Sequence, residues 1–392
     1  MTQTPKRKVC IATGTRADWG LLSAIARELK NTTSVQLQII ATNMHLDERY
    51  GMTINEIESD GFVVDEKVAL PMFSDSEADR ARAMAMCGLG MADAFERLNP
   101  DMIVILGDRY EMLAVASVAT VMCIPIVHIA GGEITRGAID DAIRHAITKM
   151  AALHLTSTTE YRQRVISMGE NPLRVITTGA IGVYNAVNER LMSRDELNQS
   201  LGFDIGDNAM LVTMHPTTLD PTDTSVHMKN LLAALDRFKN NTLIFTYPNN
   251  DAHGSVIIDL INRYAADNAS RVHVIASLGK IRYLSALQFV KVVVGNSSSG
   301  IVEVPSMKIP TVDIGVRQSG RLAADSVIHC GTGSEEIVRA ISLALSDHWQ
   351  DKCRATVNPY YRSNTLNLIV DAIVNTPLDA LSNKTFYDSH EA

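Results

Sequence analysis

Twice along the chain, short apolar runs of strand length alternate with segments whose apolar residues recur at helical spacing, and this alternation restricts the fold more than any other feature. The first series is KVCIATG, VQLQIIAT, DMIVILGD, IPIVHIAGG, ALHLTST and RVITTGA, separated by stretches such as GLLSAIARELK and EMLAVASVATVM. The second is AMLVTMHP, NTLIFTYPN, RVHVIAS, KVVVGNS, IPTVDIG and SVIHCG. Strands alternating with helices predict parallel sheets covered on both faces. Between the two series, Ala186–Asn208 is polar, then rich in Gly and Asp, and predicts a domain crossing. The expected class is therefore α/β, with two Rossmann-like domains facing each other across a cleft. We expect an N-terminal domain over 1–187 and a C-terminal domain over 188–359. A C-terminal helical region from about 360 to 392, containing NTLNLIVDAIVNTPLDAL, is expected to pack back on the first domain.

A length of 392 residues is long for a single core and fits two domains. Acidic residues outnumber basic ones, 44 to 36, for a net charge of −8, which gives no support for nucleic-acid or anionic-membrane binding. An anionic ligand must then be met by local positive groups. The five cysteines are odd in number and without a C-x-x-C pair, which predicts reduced thiols, a cytoplasmic location and no structural zinc. No signal-like or membrane-spanning run stands out. A nicotinamide or ATP enzyme would suit the fold class, but GTRADWG after the first strand lacks the G-x-G-x-x-G spacing, and no Walker-type loop occurs.

In open α/β sheets ligands bind beyond the carboxyl ends of the strands, so the polar residues directly after the apolar runs are the candidates. These are Arg16 and Asp18, Asp108 and Arg109, His128 and Glu133, and, from the second series, His215, Asn249, Asp251, Arg317 and Arg321. Asp140 and Asp141 open a helical segment that carries Arg144, His145 and Lys149. Taken alone, those two acids better suit an ordinary first helical turn, and His145 reads as a packed or surface residue. Asp108 directly after VILG is costly unless paired, with Arg109 or Arg16 as the expected partner. In VVVGNSSSGIVEVPS a doubly buried strand runs into Asn296, three serines and Gly300. A helix is expected to follow, with Glu303 in its first turn. Serine hydroxyls and unpaired N–H groups at a helix start suit a phosphate, whereas Glu303 should reach past it to a donor such as a ribose hydroxyl.

With these residues assembled, the chain resembles the UDP-N-acetylglucosamine 2-epimerase family, and within it the hydrolysing branch of sialic-acid biosynthesis. GTRADWG, ILGDRYE, HIAGGEITRGAIDDAIRHAITK, MHPTTL, YPNNDA, GNSSSGIVEVPS and IGVRQSGR appear in family order over essentially the whole chain. The branch rests on Arg109 after Asp108 and on Glu133 in HIAGGE, where reversible epimerases tend to carry Thr after that Asp and the acid at the position of Ala130. The resemblance implies a GT-B-like pair of domains, the second binding the nucleotide. It implies elimination of UDP from UDP-N-acetylglucosamine to a 2-acetamidoglucal, then addition of water to give N-acetylmannosamine. It places the catalytic groups on Asp108, Glu133, Asp140 and His215. Asp108 and Asp140 would stand around C2, Glu133 on water or O1, and a cationic His215 beside the diphosphate. Ser297 and Ser298 would hold that diphosphate and Glu303 the ribose, with Arg16, Arg109, Asn249 and Arg317 completing the contacts. No cofactor or metal is implied; the expected partner is a small nucleotide sugar, and the expected assembly a homo-oligomer, dimer or tetramer. Two other readings stand beside it: a hydrolysing epimerase for a UDP- or GDP-linked 2,4-diacetamido-2,4,6-trideoxyhexose, whose motifs would be nearly the same, and a glycosyltransferase of the same two-domain fold, which would need an acceptor.

Overall fold

The structure is a computed structural model and describes residues 5–70, 74, 76–217, 219, 224–249 and 251–388. The chain divides into two compact units. One comprises Met1–Glu133, Asp140–Tyr184 and Arg362–Ala392; the other comprises Ile134–Ile139 and Asn185–Tyr361.

In the first unit the chain runs β1 (Arg7–Thr13), α1 (Arg16–Asn31), β2 (Val35–Thr42), α2 (Ile54–Ser59), β3 (Glu66–Val68), α3 (Glu77–Leu98) and β4 (Met102–Leu106). It continues through α4 (Tyr110–Val121), β5 (Ile126–Ile129), α5 (Asp140–Met150), β6 (Leu153–Thr156), α6 (Thr159–Ser167) and β7 (Val175–Thr177). All pairings are parallel, in the order β3-β2-β1-β4-β5-β6-β7. Helix α1 is started by a capping box in which Thr15 and Asp18 satisfy each other's backbone N–H groups. Its Trp19, Leu22, Ile25 and Leu29 are buried against the sheet.

Helix α7 (Ile181–Asn188) spans the passage from one unit to the other. The second unit holds α8 (Arg194–Leu201), β8 (Met210–Thr213), α9 (Thr224–Leu235), β9 (Leu243–Thr246), α10 (Gly254–Asp267), β10 (Val272–Ile275) and α11 (Gly279–Ala286). After these come β11 (Val292–Gly295), α12 (Ser299–Val302), β12 (Thr311–Ile314), β13 (Val327–Cys330), α13 (Ser334–Ala344) and α14 (Asp347–Ala355). Its sheet is parallel in the order β10-β9-β8-β11-β12-β13. The last helices, α15 (Thr365–Asn375) and α16 (Leu378–Ser382), belong to the first unit. There Leu366, Ile369, Ala372 and Ile373 join the cluster of Trp19 and Leu22.

Each expected strand forms, and one more, β3, adds an edge of three residues. In both sheets strand order reverses direction between the first strand and the fourth, at β1/β4 and β8/β11. That is where a ligand crevice opens in this topology. Among the described residues, no helix is long and apolar enough to cross a membrane.

Candidate active site

In the first unit the switch point is dressed by Asp108, directly after β4 and Gly107, and by Glu133, four residues after β5. The two acids share one guanidinium. Arg144, one turn into α5 and almost fully buried, donates through Nη2 to Oδ2 of Asp108 and lies with Nη1 3.8 Å from Oε2 of Glu133. The other oxygen of Glu133 accepts from the Ser157 hydroxyl at 2.8 Å. The partner of Asp108 is therefore Arg144, not Arg109 or Arg16. Asp140 is the first residue of α5 and stands four before Arg144, a spacing that puts both on one helix face. His128 lies beneath this group: its Nε2 is 2.8 Å from the Gly107 carbonyl and its Nδ1 3.2 Å from Thr148 Oγ1. Burial pushes the imidazole down to about 3, so it is neutral, with Nε2 donating to the carbonyl.

Arg109 is the N-cap residue of α4, without a side-chain cap bond. Its Nε donates to Oε1 of the fully buried Glu111 at 2.7 Å. Asp18 joins the group electrostatically: burial pushes its carboxyl up to about 6, opposed by Arg109 and reinforced by Glu111. A Cβ at position 14 would fall 2.4 Å from Glu111 Oε1, so only glycine lets that carboxylate approach the first loop. Arg16, the first residue of α1, is partly buried at the same switch point.

In the second unit Asn296, directly after β11, is the hub. Its Oδ1 accepts from the His215 N–H at 2.7 Å and its Nδ2 donates to the His215 carbonyl at 2.8 Å, tying the loop after β8 to the loop after β11. The Asn296 carbonyl in turn accepts from Gln318 Nε2 at 2.9 Å and Arg317 Nη1 at 3.2 Å. The Asn249 N–H points at His215 Nδ1 over 3.4 Å. The expected helix with Glu303 in its first turn is revised. Helix α12 is only four residues long, Ser298 makes no side-chain cap, and Glu303 closes the helix. Among the described residues none accepts from the backbone N–H groups of Ser297, Ser298 or Ser299, which leaves three donors at one turn. Tyr283 donates to Ser299 Oγ at 2.6 Å, and burial, with Glu303 nearby, raises its phenol. Thr218 and Asn250, in two of the motifs, lie outside the described residues. No cluster of three metal-ligating side chains occurs among the described residues.

Arg144, Glu111, Ser157 and Asn296 are thus parts of the two constellations that strand-end reasoning did not single out as site residues. The signal for Arg144 was its place one turn after Asp140 in a half-apolar helix; for Asn296, its place first after an all-valine strand.

A family model described as UDP-N-acetylglucosamine 2-epimerase matches residues 27–374. The chain belongs to the UDP-N-acetylglucosamine 2-epimerase family. It is an enzyme of nucleotide-sugar chemistry on that ground. Within the UDP-N-acetylglucosamine 2-epimerase family it is 38% identical over 384 residues to the Campylobacter jejuni protein named GDP/UDP-N,N'-diacetylbacillosamine 2-epimerase (hydrolyzing), covering 98% of this chain and 99% of that one. It is 35% identical over 390 residues, 98% of each chain, to the Escherichia coli polysialic acid biosynthesis protein P7. A solved structure of the Methanocaldococcus jannaschii UDP-GlcNAc 2-epimerase, in complex with UDP-GlcNAc and UDP, matches with a TM-score of 0.76 at 16% identity. It covers 93% of this chain and 99% of the other. The expected GT-B-like α/β class is borne out by that likeness and by the two parallel sheets.

Proposed function

We propose that this chain is a hydrolysing 2-epimerase that converts a UDP-linked 2-acetamido sugar and water into the free 2-epimeric sugar and UDP. In the first stage a carboxylate takes the C2 proton, the C–H pair becomes the C1=C2 double bond, and the C1–O bond breaks with its electrons leaving on UDP. In the second, water supplies hydroxyl to C1 while a proton returns to C2 from the opposite face. Two acid/base groups at one carbon pair are what this sequence needs. The observation that carries the reading is the pair Asp108 and Glu133 held to a single buried Arg144, with Asp140 on the same helix face.

Asp108 and Asp140 would serve C2, and Glu133 water or O1. His215 would stand beside the leaving diphosphate, together with the N–H groups and hydroxyls of Ser297 and Ser298. Glu303 would accept from the ribose, with Arg16, Arg109, Asn249 and Arg317 completing the contacts. Arg109 would act in the orientation that Glu111 imposes. For the sugar, UDP-N-acetylglucosamine and UDP-N,N'-diacetylbacillosamine share every reacting atom, and the name of the 38%-identical relative supports the second at least as well as the first.

Proton NMR in D₂O with each UDP-sugar in turn tests the reading. The expected result is UDP and a free 2-epimerised sugar carrying deuterium at C2, from one sugar in preference to the other. A sugar released without deuterium would remove the elimination step, and a UDP-linked epimer would replace hydrolysis by reversible epimerisation.

A further inference from the structure

Helix α5 carries the first constellation from behind. Asp140, Arg144 and Thr148 follow one another at four-residue steps along it, a spacing that keeps them on one face. That face reaches Asp108 by two routes: directly through Arg144, and indirectly through Thr148 Oγ1, His128 and the Gly107 carbonyl. Nε and Nη1 of Arg144 are buried with no hydrogen-bond partner. The depth of the guanidinium is therefore set by where the helix sits. Eleven residues are too few for a helix to hold itself, so its ends must be tied elsewhere.

The far end of α5 is tied by the C-terminal segment. Lys384 Nζ donates to the carbonyls of Lys149 and Ala151, at 2.6 Å each, and lies 3.5 Å from the Thr148 carbonyl. The Lys149 carbonyl is a last-turn group with no acceptor role left inside the helix, the Thr148 carbonyl already accepts from the Ala151 N–H at 3.2 Å, and Ala151 lies just past α5; a cation there also suits the helix dipole. The same ammonium pairs with Glu170 at 2.7 Å. Glu170 is buried, which favours its neutral form, but donors from His154, Lys149 and Lys384 prevail and bring it down to about 2. Beyond Lys384, the Tyr387 N–H donates to the Gly169 carbonyl at 3.0 Å, and the Phe386 ring covers Gly169 with Lys149 Nζ 5.1 Å from its centroid.

We propose that Lys384 is a remote positioning residue for the reaction: by capping the C-terminal end of α5 it fixes how Arg144 stands between Asp108 and Glu133. This rests on the functional reading above for the reaction, though not for the cap itself.

The test combines hydrogen exchange of the α5 amides with steady-state kinetics on whichever UDP-sugar the wild type consumes. Lys384→Met is expected to exchange faster over 144–151 and to lose about tenfold in kcat with KM within about twofold, since misplacement on the order of 1 Å can cost up to about 10²-fold. Lys384→Arg should restore both, and Phe386→Ala should show a weaker form of the same pattern. Unchanged exchange in Lys384→Met overturns the proposal, as does faster exchange or a lower Tm with kcat retained. If Lys384→Met does not fold, Phe386→Ala carries the same two readouts, and the same outcomes count for and against the cap. Turnover of neither sugar by the wild type would sink the functional reading, and the exchange data would then decide the cap alone.

Discussion

Arg144 is a buried cation facing two carboxylates, and such an ion takes its whole countercharge from them. Replacing it by methionine keeps most of the volume but leaves Asp108 and Glu133 as uncompensated charges. Arg144→Met should therefore lose about 3 kcal/mol of stability, and turnover should fall about 10²-fold or more because the acid/base pair loses its placement. Arg144→Lys restores charge without the planar fork and should fall between. A urea midpoint equal to wild type would show that the arginine is not the countercharge. At this scale the need was legible in the sequence and the partner was not. Asp108 after four apolar residues demanded a cation, yet the adjacent Arg109 is directed by the start of α4 toward Glu111. The cation that answers comes from a helix 36 positions on, whose placement depends on the whole sheet. The Asn296 clamp was hidden for the same reason, since it bonds to the backbone of a residue 81 positions away.

Strands were the easiest elements to read, because central strands of a parallel sheet are buried on both faces and show as unbroken β-branched runs such as Val292–Val294. The three-residue edge strand β3 is too short to show any period. Helix α12 was misjudged because serine and glycine at its start look like a cap, whereas the chain turns into a 3₁₀ segment containing Pro305 only two residues after Glu303. Gly295 explains how the strand can end there at all. Its φ is +138°, and a Cβ would fall 1.8 Å from the Thr213 carbonyl on β8. Gly295→Ala should push β11 away from β8, break the clamp on His215 and cost about 4 kcal/mol or more, among the largest effects of a single substitution. Both the thermal midpoint and UDP affinity by calorimetry should drop together; an unaltered affinity would separate the clamp from nucleotide binding.

For the molecule as a whole, proton uptake ties stability to pH. Burial holds His45, His128, His145, His154 and His273 below the ordinary imidazole value, His45 at about 4 and His128 at about 3. Opposing them is Asp18, raised by burial to about 6, while His329, raised by its hydrogen bond with Asp313, adds its share only as pH falls toward 6.5. A depressed imidazole stabilises the fold fully above about pH 6.5, and that contribution is lost as pH falls toward its folded value, by about 1.4 kcal/mol per pH unit for each proton. Asp18 runs the other way below about pH 6, and five outweigh one. The urea midpoint should fall between pH 6.5 and 4, and His128→Gln should make the fall shallower; a midpoint that rises on acidification would contradict this balance. The path of the chain also bears on how such a protein can change over generations. Ile134–Ile139 leaves the first unit directly after Glu133 and returns at Asp140, and it is held in the second by Arg321, which donates to the Ile134 carbonyl and to Thr135. Surface connections ordinarily absorb extra residues with little harm. Here the six residues behave as a ruler between two acids, and lineages should keep its length fixed while their sequences drift around it.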